Sequence, residues 1–266
     1  MQTTEQQLRD EMVRVGRLMF EKGWIAANDG NLSARLPDEN GAGRLLATPT
    51  GLSKGMLQPD DLIITDLDGN KIAGTRARTS EMEMHTTIYR MRPDVTAVVH
   101  AHPPAATGFA VAGRALNVGV LPEVIVCLGA IPLAEYGEPG TAALSEGIRP
   151  YVPKYDALLL ANHGAVAYAD GLMRAYHRME TVEHSARITL VAELLGGARA
   201  LPRVEIQKLF AARERYGVVS RNRFEPGMPL AAEDLSGDIP DSPEEKFEIT
   251  RSQLLSIIEE ALKVRA

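Results

Sequence analysis

The feature that most limits what this chain can fold into is His100-Ala101-His102, which closes the apolar run Ala97-Val98-Val99. Residues two apart in a strand point to the same face, so both imidazoles leave the sheet on one side. A third histidine, in Ala161-Asn162-His163-Gly164, follows a second apolar run from Ala157 to Leu160, and Thr79-Ser80-Glu81 opens a helical pattern with a carboxylate. Three imidazoles and one carboxylate suit a tetrahedral, zinc-type site, provided that the fold brings two strand ends and a helix start together. The single Cys127 can form neither an internal disulfide nor a multi-thiolate site, so any metal must rest on nitrogen and oxygen donors. Cys127 itself is expected to pack in a core.

Periodicity supplies the elements. Leu8, Met12, Val15 and Met19 recur at helical spacing between Glu5 and Lys22, with Gly23 where a C-terminal cap belongs. Short strand-like pieces follow at Asn31–Leu36, Arg44–Ala47 and Asp61–Thr65, and Asp68-Gly69-Asn70 marks a tight turn between Ile64 and Ile72. Beyond them the pattern alternates: helix Glu81–Met91, strand Ala97–His102, helix Ala105–Ala112, a strand near Ile131, helix Thr141–Tyr151, strand Ala157–Ala161 and a long helix Leu172–Leu195. That mixture predicts a sheet with helices on both faces. The stripe Leu172, Ala175, Met179, Val182, Ala186 and Leu190 is expected to be core, and another helix runs from about Arg203 to Arg215. After Arg221, prolines and glycines predict an extended tail over 221–266. There Ser242 and Glu245 have the spacing of a capping box, which predicts a last short helix with Leu254, Leu255, Ile258 and Leu262 on its apolar face.

Composition excludes several functions. The net charge of −6 comes without a basic block, so the footprint that phosphate-backbone binding needs is missing and nucleic acid is not an expected partner. Met-Gln-Thr-Thr-Glu-Gln-Gln is polar where a signal peptide would be basic and then apolar, and no apolar run reaches membrane-spanning length; a cytoplasmic location without a membrane partner is the expectation.

Among the other histidines, His177 and His184 lie on the long helix and carry no functional weight. His85, four residues after Glu81 on one helical face, could ligate beside it, although a hydrogen-bonded core histidine is the more ordinary outcome. Asn28-Asp29-Gly30-Asn31-Leu32-Ser33, Thr48-Pro49-Thr50-Gly51 and Thr79-Ser80 each place a glycine or hydroxyl beside backbone N–H groups. Singly these are ordinary turns; together they suggest an anion cradle that needs few lysines.

Gly30-Asn31-Leu32-Ser33, Thr48-Pro49-Thr50-Gly51, Ser80-Glu81, His100-Ala101-His102 and Asn162-His163-Gly164, in this order and at these separations, resemble the class II aldolase/adducin family. The likeness is to its fuculose-1-phosphate aldolase-like members and runs from the first helix to about Tyr216. It implies a three-layer α/β/α sandwich with a central, mainly antiparallel sheet as a catalytic domain over 1–220, assembled as a homotetramer with active sites at subunit interfaces. It implies one divalent metal per chain, zinc first, with manganese, cobalt or ferrous iron as alternatives, held by His100, His102 and His163. Glu81 would ligate the empty metal and then turn to act as base, while Gly30, Asn31, Thr50, Gly51, Thr79 and Ser80 would hold the substrate phosphate. The implied activity is reversible cleavage of a small ketose or deoxyketose 1-phosphate to dihydroxyacetone phosphate and an aldehyde through a metal-stabilised enediolate. A decarboxylase or dehydratase with the same chemistry is the alternative. A non-enzymatic, adducin-head-like interaction domain is a remote one, since it predicts lost metal ligands. One position departs: Leu121 stands where the fuculose-phosphate enzymes carry a tyrosine from the adjacent subunit. Tyr216, matching the family's C-terminal tyrosine, and Glu123 are then the candidate proton donors.

Overall fold

Along the strand Ala97–Ala101, Ala97, Val99 and Ala101 enter one apolar core and Val98 enters another. A strand buried on both faces must be covered on both, and the architecture follows from that. The computed structural model describes residues 4–37 and 43–218. In chain order the strands are β1 (Asn31–Arg35), β2 (Leu45–Ala47), β3 (Ile63–Thr65), β4 (Lys71–Ala73), β5 (Ala97–Ala101), β6 (Leu133–Ala134), β7 (Ala157–Leu160) and β8 (Gly164–Ala169). They form one sheet in the order β4-β3-β2-β1-β5-β8-β7-β6, antiparallel throughout except for the β6–β7 pair.

On one face lie α1 (Glu5–Glu21), α3 (Pro104–Val111), α4 (Pro122–Cys127) and α6 (Leu172–Leu194), packed through Met12, Met19, Phe109, Val124, Met179 and Val182. On the other lie α2 (Met82–Met91) and α5 (Ala142–Ile148), packed through Met84, Ile88, Tyr89, Leu144 and Ile148. The result is the expected three-layer α/β/α sandwich with a mainly antiparallel sheet. α7 (Arg203–Ala212) adds a small separate cluster through Ile206, against Ile125 and Ala130. The first helix opens on the Thr4/Gln7 capping box. Among the described residues no helix is long and apolar enough to cross a membrane. The tail expected over 221–266 lies outside the described residues.

Several expectations are corrected. Strand β8 was not anticipated, because Gly-Ala-Val-Ala-Tyr-Ala is buried on both faces and so lacks the polar alternation that marks a half-buried strand. The six-residue α4 is too short to show a helical period. The strand expected near Ile131 begins at Leu133, with Ile131 making only an isolated bridge to Leu116. Asp61 belongs to a short 3-10 turn rather than to β3. Leu190, assigned to the core stripe of α6, is 46% exposed because α6 outruns the elements packed on it. Cys127 is half-buried against the first core.

Candidate metal centre

Each chemical side chain sits at the end of an element. His100 is on β5 and faces the α2 side of the sheet, His102 lies one residue past the strand, and His163 stands in the turn joining β7 to β8. Because β5 pairs with β8 from Ala97↔Ala169 to Ala101↔Ala165, that turn arrives beside the end of β5. Asn162 takes a left-handed conformation, φ 54°, which asparagine tolerates better than most residues. Gly164 follows because a Cβ there would lie 2.5 Å from the His102 ring and 2.6 Å from the Ala101 carbonyl oxygen. On the opposite side Gly30, φ 65°, passes so close to β5 that a Cβ would meet the His100 carbonyl oxygen at 2.8 Å. Glu81 is the N-cap residue of α2 and is brought over the histidines by the packing of that helix on the sheet.

The donor atoms converge. His100 Nε2 lies 3.2 Å from His102 Nε2 and 3.3 Å from Glu81 Oε2, and His163 Nε2 lies 3.2 Å from Glu81 Oε1. One nitrogen from each histidine falls within 4.8 Å of the other two. The His100 Nδ1–H donates to the Ala165 carbonyl at 2.9 Å, and His102 Nδ1 faces Asp29 Oδ2 at 3.3 Å. Those partners place the protons on Nδ1 and leave both Nε2 lone pairs bare and facing each other, an arrangement that repels itself unless a cation lies between them. Glu81 Oε1, although close to His163 Nε2, is buried without an aligned hydrogen bond, and His163 Nδ1 is likewise buried and unpartnered. The residues therefore fit a divalent metal.

Electrostatics agree. Burial, helped by the neighbouring histidines, pushes His100 down to about 3 and also lowers His102, so both are neutral at physiological pH, as metal ligation requires. Burial alone would raise the Glu81 carboxyl, but His100 and His163, in their protonated forms, and the Asn31 amide outweigh it and hold the group well below the usual carboxylate range. His102 keeps 26% of its side chain exposed while His100 is sealed, so the centre opens to solvent on the His102 side.

His85 is not a ligand: its nitrogens contact Ser33 Oγ at 2.6 Å and Asn31 Oδ1 at 2.5 Å, the ordinary core outcome. The Asn31 side chain lies between His85 and Glu81, its Nδ2 donating to Glu81 Oε2 at 2.7 Å. The Thr79 hydroxyl accepts from the Glu81 N–H at 3.3 Å. Thr50 N–H donates to the Ala77 carbonyl at 3.2 Å, bringing the Thr50-Gly51 loop alongside the approach to Thr79 and Ser80; Thr50, Gly51 and Ser80 are exposed. Buried Lys54 ties two of these loops together, donating from Nζ to the carbonyls of Asn28 and, at 2.9 Å, Leu52. Burial lowers Lys54 to about 8, with Asp29 and Glu81 opposing the shift.

Glu123 and Tyr216 lie elsewhere in the chain. Both are exposed, Glu123 on α4 and Tyr216 in the turn after α7, and among the described residues neither makes a side-chain hydrogen bond to the histidines or Glu81. Sequence reasoning missed Lys54 and the orienting role of Asp29, since no spacing links either to the groups it holds. The Glu81 and His85 spacing was the one signal for the network behind Glu81.

Residues 10–190 match the family described as Class II Aldolase and Adducin N-terminal domain. The chain is 34% identical over 191 residues to the 3-oxo-tetronate 4-phosphate decarboxylase of Escherichia coli (strain K12), covering 70% of this chain and 88% of that protein. It is 32% identical over 213 residues to the 5-deoxy-D-ribulose 1-phosphate aldolase of Bacillus thuringiensis serovar kurstaki, covering 80% and 98%. A solved L-fuculose 1-phosphate aldolase superposes with a TM-score of 0.72 at 29% identity, over 79% of this chain and 96% of that one.

Proposed function

Because the chain belongs to the class II aldolase and adducin family, we propose that it is a metal-dependent carbon–carbon lyase cleaving a small ketose or deoxyketose 1-phosphate to dihydroxyacetone phosphate and an aldehyde. The observation that carries this reading is the convergence of three histidine nitrogens on the Glu81 carboxylate. A divalent ion, zinc first for this donor set, would polarise the substrate ketone and stabilise the negative charge that develops on its oxygen. Glu81 supplies the proton traffic, delivering a proton to the carbon left by the departing aldehyde and removing it in the reverse direction. The phosphate is held by the loops at Gly30-Asn31, Thr50-Gly51 and Thr79-Ser80, with backbone N–H and hydroxyl groups as donors, the Asn31 side-chain amide being given to Glu81 instead. The aldehyde oxygen needs a second proton carrier. Tyr216 or Glu123 takes that part from a neighbouring subunit of a homotetramer, Leu121 being unable to do so.

Decarboxylation of a small 3-oxo acid phosphate is the second reading, favoured by Leu121 and by the similarity to the Escherichia coli decarboxylase. Loss of carbon dioxide leaves the electron pair on the carbon that Glu81 then protonates, with no acid required on an aldehyde side. Zinc- and manganese-loaded protein should be given ketose 1-phosphates, their unphosphorylated counterparts and 3-oxo-tetronate 4-phosphate in parallel. Aldehyde release from a ketose 1-phosphate supports the first reading, and carbon dioxide release with no aldehyde replaces it with the second. A preference for the unphosphorylated sugar removes the phosphate assignment, and turnover of none of them removes both readings.

A further inference from the structure

Behind Glu81 the hydrogen bonds run in one forced direction. A carboxylate only accepts, so the contact at 2.7 Å must be donated by Asn31 Nδ2, which turns Asn31 Oδ1 toward His85 Nε2 at 2.5 Å. A carbonyl oxygen also only accepts, so His85 Nε2 carries the hydrogen and, in the neutral ring, Nδ1 is bare. Ser33 Oγ–H therefore donates to Nδ1 at 2.6 Å, leaving the Ser33 oxygen to accept from the Tyr89 hydroxyl at 2.9 Å. All four residues behind the carboxylate are sealed from solvent, with relative exposures from 0% to 3%. At the end of the chain Oε2 of Glu81 is pinned by the Asn31 amide, whereas Oε1 makes no aligned hydrogen bond and has as its near neighbour only His163 Nε2, at 3.2 Å, a nitrogen of the candidate metal set.

We propose that Asn31 and His85 are positioning residues that pin Glu81 Oε2 and leave Oε1 as the oxygen that exchanges the proton with substrate carbon. The inference rests on Glu81 being the acid/base. In the exchange the substrate C–H bond breaks with its electron pair staying on the substrate, and an O–H bond forms at Oε1. If the His85 tautomer were reversed, its bare Nε2 would face Asn31 Oδ1. The amide would turn over, and an acceptor oxygen would face the carboxylate. The Glu81 carboxylate, which can only accept, opposes this from one end of the chain, and the Ser33 hydroxyl, by donating to the bare Nδ1, supports the same tautomer from the other.

The test uses full-length protein with zinc affinity, solvent-deuterium exchange into dihydroxyacetone phosphate, and nitrogen-15 NMR of His85. The wild type should show the Nε2–H tautomer of His85; an Nδ1–H tautomer overturns the proposal whatever the activity. His85→Leu should lose about 10- to 100-fold in the exchange kcat, the usual range when the direct partner of a ligand, here Asn31, loses its orientation, with KM and zinc affinity each within about threefold of wild type. His85→Gln, which can both donate to Asn31 and accept from Ser33, should recover most of the loss. Should His85→Leu not fold, Ser33→Ala serves in its place and should lower kcat with KM unchanged. Equal loss in His85→Leu and His85→Gln would mean that ring shape alone matters, and wild-type kcat in Ser33→Ala or His85→Leu would also overturn the proposal. Glu81→Gln separates the two layers: if it exchanges at the wild-type rate, the acid/base reading fails, while the NMR result still decides the orientation of Asn31.

Discussion

Replacing Gly164 by alanine should damage the candidate metal centre without replacing any of its ligands. The new Cβ would sit 2.5 Å from His102 Cδ2, about 0.9 Å inside the 3.4 Å at which ordinary contact begins, and 2.6 Å from the Ala101 carbonyl oxygen. The contact with the Ala101 carbonyl can be relieved only by shifting β8 against β5, and the His102 ring must give way as well. Metal–ligand distances tolerate only about 0.2 Å, so a shift several times larger should cost about 10- to 100-fold in zinc affinity, besides an overpacking cost of about 1–3 kcal/mol in stability. Competition of the purified variant against a chelator of known affinity reads the first, and urea unfolding of metal-free protein reads the second. Gly108→Ala is the control, since Gly108 lies within α3 and a Cβ there meets nothing within 4 Å. It should leave zinc affinity unchanged and stabilise the fold by up to about 1 kcal/mol through helix propensity. Zinc affinity of Gly164→Ala within about twofold of wild type would refute the reasoning, because His102 could then move without leaving the site.

Stability of the metal-free protein should fall as pH is lowered. Burial, opposed by Glu81, lowers His85 to about 4, below its ordinary value of 6.5, so the unfolded chain binds the extra proton in that window. The contribution is fully present above about pH 6.5 and is lost toward pH 4, on the order of 2 kcal/mol by pH 5 in urea unfolding, and a flat profile would contradict a neutral buried His85. Lys54→Met keeps the buried stem but releases the Asn28 and Leu52 carbonyls that Nζ holds. KM for a phosphorylated substrate should rise by roughly tenfold, about the value of one charged hydrogen bond, with kcat little changed; an equal rise for the unphosphorylated analogue would separate Lys54 from the anion loops.

Much of this site could be read from the chain because its chemistry obeys local rules. Two histidines at i and i+2 must share a face of a strand, and the side chains of β5 divide between the two cores as that rule requires. The third histidine could be placed after a strand but not beside the first two. Only the pairing of β5 with the unforeseen β8 brings it there, and β8 hid because a strand buried on both faces carries no polar alternation. Asn31 shows the other limit. From sequence its amide is a donor near a glycine, equally apt for phosphate, whereas its burial between His85 and Glu81 depends on α2 packing across β1. Glu123 and Tyr216 could be nominated only by likeness, and their exposed positions leave their roles to the assembly.

The central claim is that His100, His102 and His163 hold one divalent metal while Glu81 moves the proton, and the most direct measurement is metal content and solvent-deuterium exchange on the same samples of wild type and Glu81→Gln. The histidines alone should keep about one metal per chain in Glu81→Gln, since three protein ligands suffice for an open catalytic site, while exchange into dihydroxyacetone phosphate falls by at least about 100-fold. Glu81→Gln that retains its metal and exchanges at the wild-type rate would contradict the assignment of the proton to Glu81. Glu81→Gln that loses its metal altogether would contradict the assignment of metal holding to the three histidines.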